Sequence, residues 1–327
     1  MVVLAAFSIT ALGCTTLFFP DEGGFYTWYV PDDFLTIQEA IDYSVPGDLV
    51  LVRSGVYSPS TNGEIFPIFL QNGVDVIGEN PATTVVDAQS TNYVFDVFRF
   101  DSLLMGFTVV GGIANSGGGL FIEDSQGVLQ NLNVIGNRAE EKGSGIFIAS
   151  SLQPLLQNIV VAHNVRTNAA TNPAQVELLD SDIDFFNNVI ANGDSDGLRI
   201  NPGSFGFYEN NIFFQNGSDG FGVGFADEGA DPSGLVIEYN MFFDNFEADF
   251  FIADQLRSAA DANNLTPDIN QNFSADPLFT NPAADDYTLL PGSPAFHAGN
   301  PDPYFDNPDG SRNDIGAYGG PAAVEFF

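Results

Sequence analysis

A short strand-like run anchored on asparagine recurs through the middle of this 327-residue chain, and that recurrence limits the fold more than any other feature. The units read Asn131-Leu132-Asn133-Val134, Asn158-Ile159-Val160-Val161, Asn188-Val189-Ile190-Ala191, Asn211-Ile212-Phe213-Phe214 and Asn240-Met241-Phe242-Phe243. Gly106-Phe107-Thr108-Val109 fits the same frame one unit earlier, and the anchors are spaced by 25, 27, 30, 23 and 29 residues. A second run recurs half a unit upstream: Gly119-Leu120-Phe121-Ile122, Gly145-Ile146-Phe147-Ile148, Val176-Glu177-Leu178 and Gly197-Leu198-Arg199-Ile200. Units this short cannot bury an apolar face alone, so they must stack on their neighbours. A globular sandwich has no need of asparagine at the same corner of every unit. In a coiled sheet, stacked amides hydrogen-bond along the axis, so the row is read as structural.

The flanks add a beginning and an end. Within VPDDFLTIQEAIDYSVPGDLVLVRSGVY, residues 30 to 57, Thr36 and Glu39 form a capping box, and Ile37, Ala40 and Ile41 give an apolar stripe. Pro46-Gly47 stops that helix, and the run Leu49-Val50-Leu51-Val52 reads as a buried strand. From Asp276 the chain becomes Pro/Gly-rich without helical periodicity (DPLFTNPAADDYTLLPGSPAFHAGNPDPYFDNPDGSRNDIGAYGG). These blocks resemble the opening and the "DPLF…PGSPA…DIGAY" ending of bacterial surface proteins of the pectin-lyase-like class. The resemblance spans about residues 28 to 323. It implies an all-β, single-stranded, right-handed parallel β-helix with a short N-terminal capping helix and an irregular C-terminal cap. The expected layout is solenoid over 28–275, an insertion at 246–275 and a capping region over 276–327.

The single cysteine carries an address. Cys14 follows a short apolar run, Val2 to Gly13, suited to the apolar region of a secretory signal. Gly13-Cys14 resembles the lipidation box of bacterial lipoproteins, which implies a signal over 1–13, a lipidated Cys14, a tether over 14–27 and anchoring at the outer membrane or cell surface. The alternative is a buried first strand with an inert thiol.

Charge excludes partners. The chain carries 43 acidic residues against 8 Lys plus Arg, a net charge of −35. Nucleic-acid affinity comes from basic clusters, so a nucleic-acid partner is excluded. Disorder is excluded too, because 44% of residues are apolar and 32 are Phe.

Alternate strand residues face outward. In the upstream strands this row is Phe121, Phe147, Glu177 and Arg199, one per coil, so that Glu177 and Arg199 are neighbours. Two Phe beside an ion pair would make a glycan platform; a cross-strand Phe stack with a surface salt bridge is the alternative. The row two after each Asn (Thr108, Asn133, Val160, Ile190, Phe213, Phe242) is apolar in its later members, and the 246–275 insertion is expected to cover it. Asp180, Asp182 and Asp184 alternate on a strand and suit Ca²⁺ as oxygen-only ligands; Asp306, Asp309 and Asp314 form a second such set. A solvated acidic face is the alternative to both.

Enzymes of the resembled class use calcium-bound carboxylates with an Arg or Lys base, or an Asp-Asp pair with a Gly-His-Gly motif. The basic candidates here are Arg199, Arg166, Arg138 and Lys142, outside any lyase signature, and neither His163 nor His297 has Gly on both sides. Asp285-Asp286 has no matching His. The expectation is therefore a surface or envelope module contacting polysaccharide, with a lyase or hydrolase using Arg199, Glu177 and Asp182 as the alternative.

Overall fold

A computed structural model describes residues 24–323, apart from 169, 219–221, 230 and 231. Three sheets run the length of the molecule and carry the stacked repeat. They have 10, 9 and 9 strands, and strands adjacent in each sheet come from successive coils. We call them faces A, B and C in the order in which the chain meets them. Face A includes Leu152–Gln157, Asp182–Phe186 and Phe205–Glu209; face B includes Val160–Ala162, Val189–Ala191 and Ile212–Phe214; face C includes Ile146–Ala149, Val176–Leu179 and Leu198–Ile200. Pairing is parallel except where the chain folds back on face C and in the tail. Each coil offers one inward residue in line with the next. On face A that line is Leu104, Leu129, Leu156, Phe185, Tyr208 and Ile237, all fully buried. On face B it ends in Phe213 and Phe242, whose rings stack with centroids 4.9 Å apart.

Asparagine plays two roles at the A-to-B corner, which shifts the repeat by one residue from the spacing read in the sequence. Asn131, Asn158, Asn187 and Asn210 occupy one row with φ of 50°, 56°, 53° and 61°. Asn is among the few side chains that adopt this left-handed conformation readily. The following residues Asn188, Asn211, Asn240 and Asn272 point inward as an amide ladder, with Nδ2 of each donating to Oδ1 of the next at 3.1, 2.9 and 3.0 Å. The ladder begins only at Asn188; Leu132 and Ile159 hold the slot in earlier coils. Anchoring on Asn158 and then Asn188 therefore crosses from one row to the other. Of the six outward residues expected on face B, Thr108, Asn133 and Val160 do face out, while Ile190, Phe213 and Phe242 belong to the core. The outward positions in those coils are Val189, Ile212 and Met241.

A second ladder closes the B-to-C corner. Asn137 donates to Asn164, and Asn216 donates to Asn245. Between them Gln175 accepts from Asn164 at 3.2 Å and donates to Asn216 at 2.7 Å. Gly193 leaves room for it: a Cβ there would stand 2.5 Å from Gln175 Cγ.

The ends are sealed as apolar solenoid ends require. Helix α1 (Ile37–Tyr43) has its expected capping box, and Ile37, Ala40 and Ile41 cover the first coil. At the other end the 246–275 segment is itself the last coil. Ala248–Ile252 extends face C, Gln255–Arg257 turns back, and the short helix Ala259–Ala262 buries Ala259 and Ala262 on the core. It does not cover face B, contrary to expectation. The tail does: Phe279, Tyr287, Ala295, Ile315 and Ala317 pack on Val160, Val189, Ile212 and Met241. The left-handed Asn row fixes it there. Asn158 Nδ2 donates to the carbonyls of Ala317 at 2.9 Å and Gly319 at 2.7 Å, and Asn187 Nδ2 donates to that of Asp314 at 2.9 Å.

Candidate functional site

Face C carries the row read from the sequence. Phe121 is paired with Phe147, Phe147 with Glu177 and Glu177 with Arg199, and Asp96 extends the row one coil earlier. Exposure along it is uneven. Phe147 is only 6% exposed and Glu177 3%, so they are not a platform open to solvent. Phe121 stays half-buried, its ring 5.7 Å from that of Phe147 and 5.8 Å from that of Tyr93.

At the Phe121 end an extra three-stranded sheet, Ile113–Ser116, Arg138–Lys142 and Val165–Arg166, stands beside the row. Between this wall and Tyr93 lies an open cavity of about 600 Å³, edged by Asn92, Asn115, Ser116, Glu140 and Thr167. Tyr93 Oη donates to Asp96 Oδ2 at 2.8 Å, which fixes the ring. Burial and the Asp96 carboxylate both push the phenol well above its usual range, so it stays neutral and can donate. Two aromatic rings with amide, hydroxyl and carboxylate groups around them form the chemistry that holds a sugar: apolar ring faces, with hydrogen bonds to hydroxyls.

The Arg199 end is closed. Arg199 Nη2 meets Asp196 Oδ2, Nε lies 3.1 Å from the same oxygen, and Nη1 donates to the Asn172 carbonyl at 2.5 Å. Glu177 stands 3.9 Å away and Glu228 3.8 Å. Burial works to lower the Arg199 pKa, but the Asp196, Glu177 and Glu228 carboxylates outweigh it and raise it. Glu177 in turn accepts from the Gly143 N–H at 3.2 Å, the Ala174 N–H at 3.4 Å and Asn201 Nδ2 at 3.1 Å. Both groups are committed to one another and to the backbone. The adjoining hollow, about 180 Å³, also has Glu247 on its wall and repels a uronate.

The other candidates lie apart. Asp182 projects from face A, so it does not join Glu177 and Arg199 of face C as a catalytic group. Asp182 and Asp184 share an outward face, but Asp180 sits at a left-handed corner with φ 48°, off that strand. Burial, then the Asp182 charge, raises the Asp184 pKa. Among the described residues no group of three or more His, Cys, Asp or Glu side chains is placed to hold a metal ion, and neither aspartate set is gathered into such a group. His163 lies 3.3 Å from Asp285 and 3.5 Å from Tyr287 Oη, at the tail contact. Arg166 pairs with Asp194 at 3.5 Å. Cys14 lies outside the described residues. Among those described, no helix is long and apolar enough to cross a membrane.

Residues 79–231 match the family model of the right handed beta helix region. The chain is a right-handed parallel β-helix. No curated protein and no solved structure matches it significantly, so the scaffold is known while its activity has to be argued from the site.

Sequence reading missed Tyr93, Asn115 and Glu140. Tyr93 precedes its strand, Phe95–Phe98, and so falls outside the alternation that picked out Phe121. The signal that finds it is register: Asp96 lies opposite Phe121, which needs the earlier coil aligned with the later ones.

Proposed function

We propose that this protein is a non-catalytic β-helix scaffold that contacts neutral polysaccharide through the Tyr93–Phe121 cavity. The division of face C carries the reading. Its aromatic end is open and edged by amides and hydroxyls, whereas Arg199 at the other end is held by three carboxylates and a carbonyl. A lyase needs a free base and a cationic setting for the uronate; the Arg199 end supplies neither. Glu140 on the cavity edge and the net charge of −35 favour a neutral polymer over a uronic one. Export and anchoring through Cys14 rest on the sequence alone and complete the proposal: a surface or envelope module presenting face C outward.

The test is affinity electrophoresis in gels containing β-glucan, mannan or xylan. The parent protein should be retarded by at least one. Each of Phe121→Ala and Tyr93→Ala should weaken retention by about tenfold, the worth of one aromatic stacking contact. Retention untouched by both substitutions, or no retention of the parent by any neutral polymer, would sink the proposal.

A further inference from the structure

One contact between the tail and the solenoid rests on a titratable group. At the A-to-B corner, residues 299–305 form a strap against the end of strand Phe205–Glu209. Asn300 holds it down twice. Its backbone N–H donates to Asn210 Oδ1 at 2.7 Å, and its Nδ2 donates to Glu209 Oε2 at 2.6 Å. Gly299 permits the close approach, because a Cβ there would stand 2.7 Å from Asn210 Oδ1. Further along the strap, the Phe305 ring meets that of Phe186 edge-on, with centroids 5.3 Å apart.

Glu209 is a costly place for a negative charge. It is 6% exposed and lies directly opposite Glu238 of the next coil, whose own carboxylate accepts from Asn270 Nδ2 at 2.5 Å. Asp184 on the preceding coil and Asp302 on the strap add their charges to the same surroundings. The tail's Arg312 donates instead to the carbonyls of Gly299 at 2.7 Å and Ala298 at 3.3 Å. One amide proton from Asn300 does not replace the water that a carboxylate loses on burial. Burial first, then the Glu238, Asp184 and Asp302 charges, push Glu209 up to about 7 from 4.5 against the pull of the Asn300 bond.

We propose that Glu209 is a pH-operated latch: protonated, it keeps residues 299–305 closed over the corner, and ionised, it releases them so that water reaches the carboxylate. The closed state binds the extra proton, so opening is favoured as pH rises from about 4.5 to about 7 and levels off above that. Release uncovers Phe186, which is 7% exposed beneath the strap. The device is separate from the Tyr93–Phe121 cavity of face C and shares no residue with it.

Hydrogen exchange of the full chain, corrected for the intrinsic pH dependence of the chemistry, tests this at the Asn300 amide. Times are chosen at which the core amide of Ile212, bonded to the Asn188 carbonyl, is unexchanged. A carboxylate that titrates at about 7 when closed and about 4.5 when hydrated raises the opening constant about 70-fold between pH ~5 and pH ~8. The parent should show a rise of that order, and Glu209→Gln should hold the constant within about twofold. Asn300→Ala removes the amide that grips Glu209, so the Gly299 and Phe305 amides should exchange about tenfold or more faster at pH ~5. A flat profile in the parent or an equal rise in Glu209→Gln would overturn the proposal. So would a rise shared by Ile212, which would place the change in global unfolding, or unaltered strap exchange in Asn300→Ala.

Discussion

Replacing Asn211 by Ala removes one rung of the inward ladder, and the structure fixes what is lost. Asn211 Nδ2 donates to the Phe185 carbonyl at 3.0 Å and to Asn240 Oδ1 at 2.9 Å. Its Oδ1 accepts from the Asn188 backbone N–H at 2.9 Å and from Asn188 Nδ2 at 3.1 Å. All three asparagines are fully buried, so water cannot replace these bonds. The Asn240 oxygen keeps a partner in the Asn211 N–H. The Asn188 N–H and one Asn188 amide proton do not, whereas the Phe185 carbonyl stays in the face A ladder through its pairing with Tyr208. At ~1–3 kcal/mol for each buried orphan, and allowing for local relaxation, the loss is about 4 kcal/mol. Urea unfolding should show it as a lowered midpoint at unchanged slope. A solenoid can also unfold in sections, so two spectroscopic probes should be followed together. The Asn188→Ala and Asn211→Ala double variant should lose about 1–2 kcal/mol less than the sum of the singles, because both remove the same Nδ2–Oδ1 bond. A cost for Asn211→Ala below about 1 kcal/mol, no greater than that of exposed Gln126→Ala, would refute the ladder as a source of stability.

Other perturbations follow from the same contacts. Gln175→Ala breaks the second ladder and should cost about 3 kcal/mol in urea unfolding; Gly193→Asn alone should also destabilise, because its Cβ meets Gln175 Cγ at 2.5 Å. Together they should recover about half the Gln175→Ala loss, and a strictly additive pair would contradict the slot-sharing account. Glu209, buried beneath the tail with Asn300 Nδ2 2.6 Å from its carboxylate, is pushed up to about 7 from 4.5, chiefly by burial. Its folded pKa lies above the unfolded value, so the native state binds the extra proton and stability falls as pH rises from about 4.5 to about 7. Glu209→Gln should flatten that slope and raise the melting temperature at pH ~8 relative to the parent; an unchanged slope would contradict the assignment. Arg199→Met leaves Asp196 and Glu177 buried without their cation and should cost about 3–5 kcal/mol at neutral pH, less as carboxylates protonate in acid. Thermal melts across that range check it, and a pH-independent cost would show that the carboxylates are not what Arg199 holds.

Much of the fold was legible because the same physical demand returns in every coil. The helix at Ile37–Tyr43, the stacked strands and the Phe121–Phe147–Glu177–Arg199 register all follow from local pattern plus repetition. The misassigned rows on face B share one cause. Asn is used both for a left-handed corner and for a buried amide ladder, and where Asn187-Asn188 and Asn210-Asn211 carry both roles side by side, a single anchor slips by one. Side chains alternate along a strand, so that slip exchanged core for surface in three coils of face B. Which segment covers face B was not legible, because the tail reaches it through contacts distant in sequence, such as Asn187 with Asn313 at 3.1 Å across 126 residues. The site was half legible for a related reason. Sequence gives the order of residues in a row, whereas exposure depends on loops, and Asn172 and Asp196 close the Arg199 end.

Contact without chemistry on face C can be checked by incubating the full chain with neutral and uronic polysaccharides. New reducing ends and the ultraviolet absorbance of unsaturated products would be followed over time. The structure predicts neither signal from any polymer, including those that retard the protein in gels. Turnover of even one polymer that disappears in Arg199→Met, with the fold retained, would contradict the claim and make Arg199 a working base.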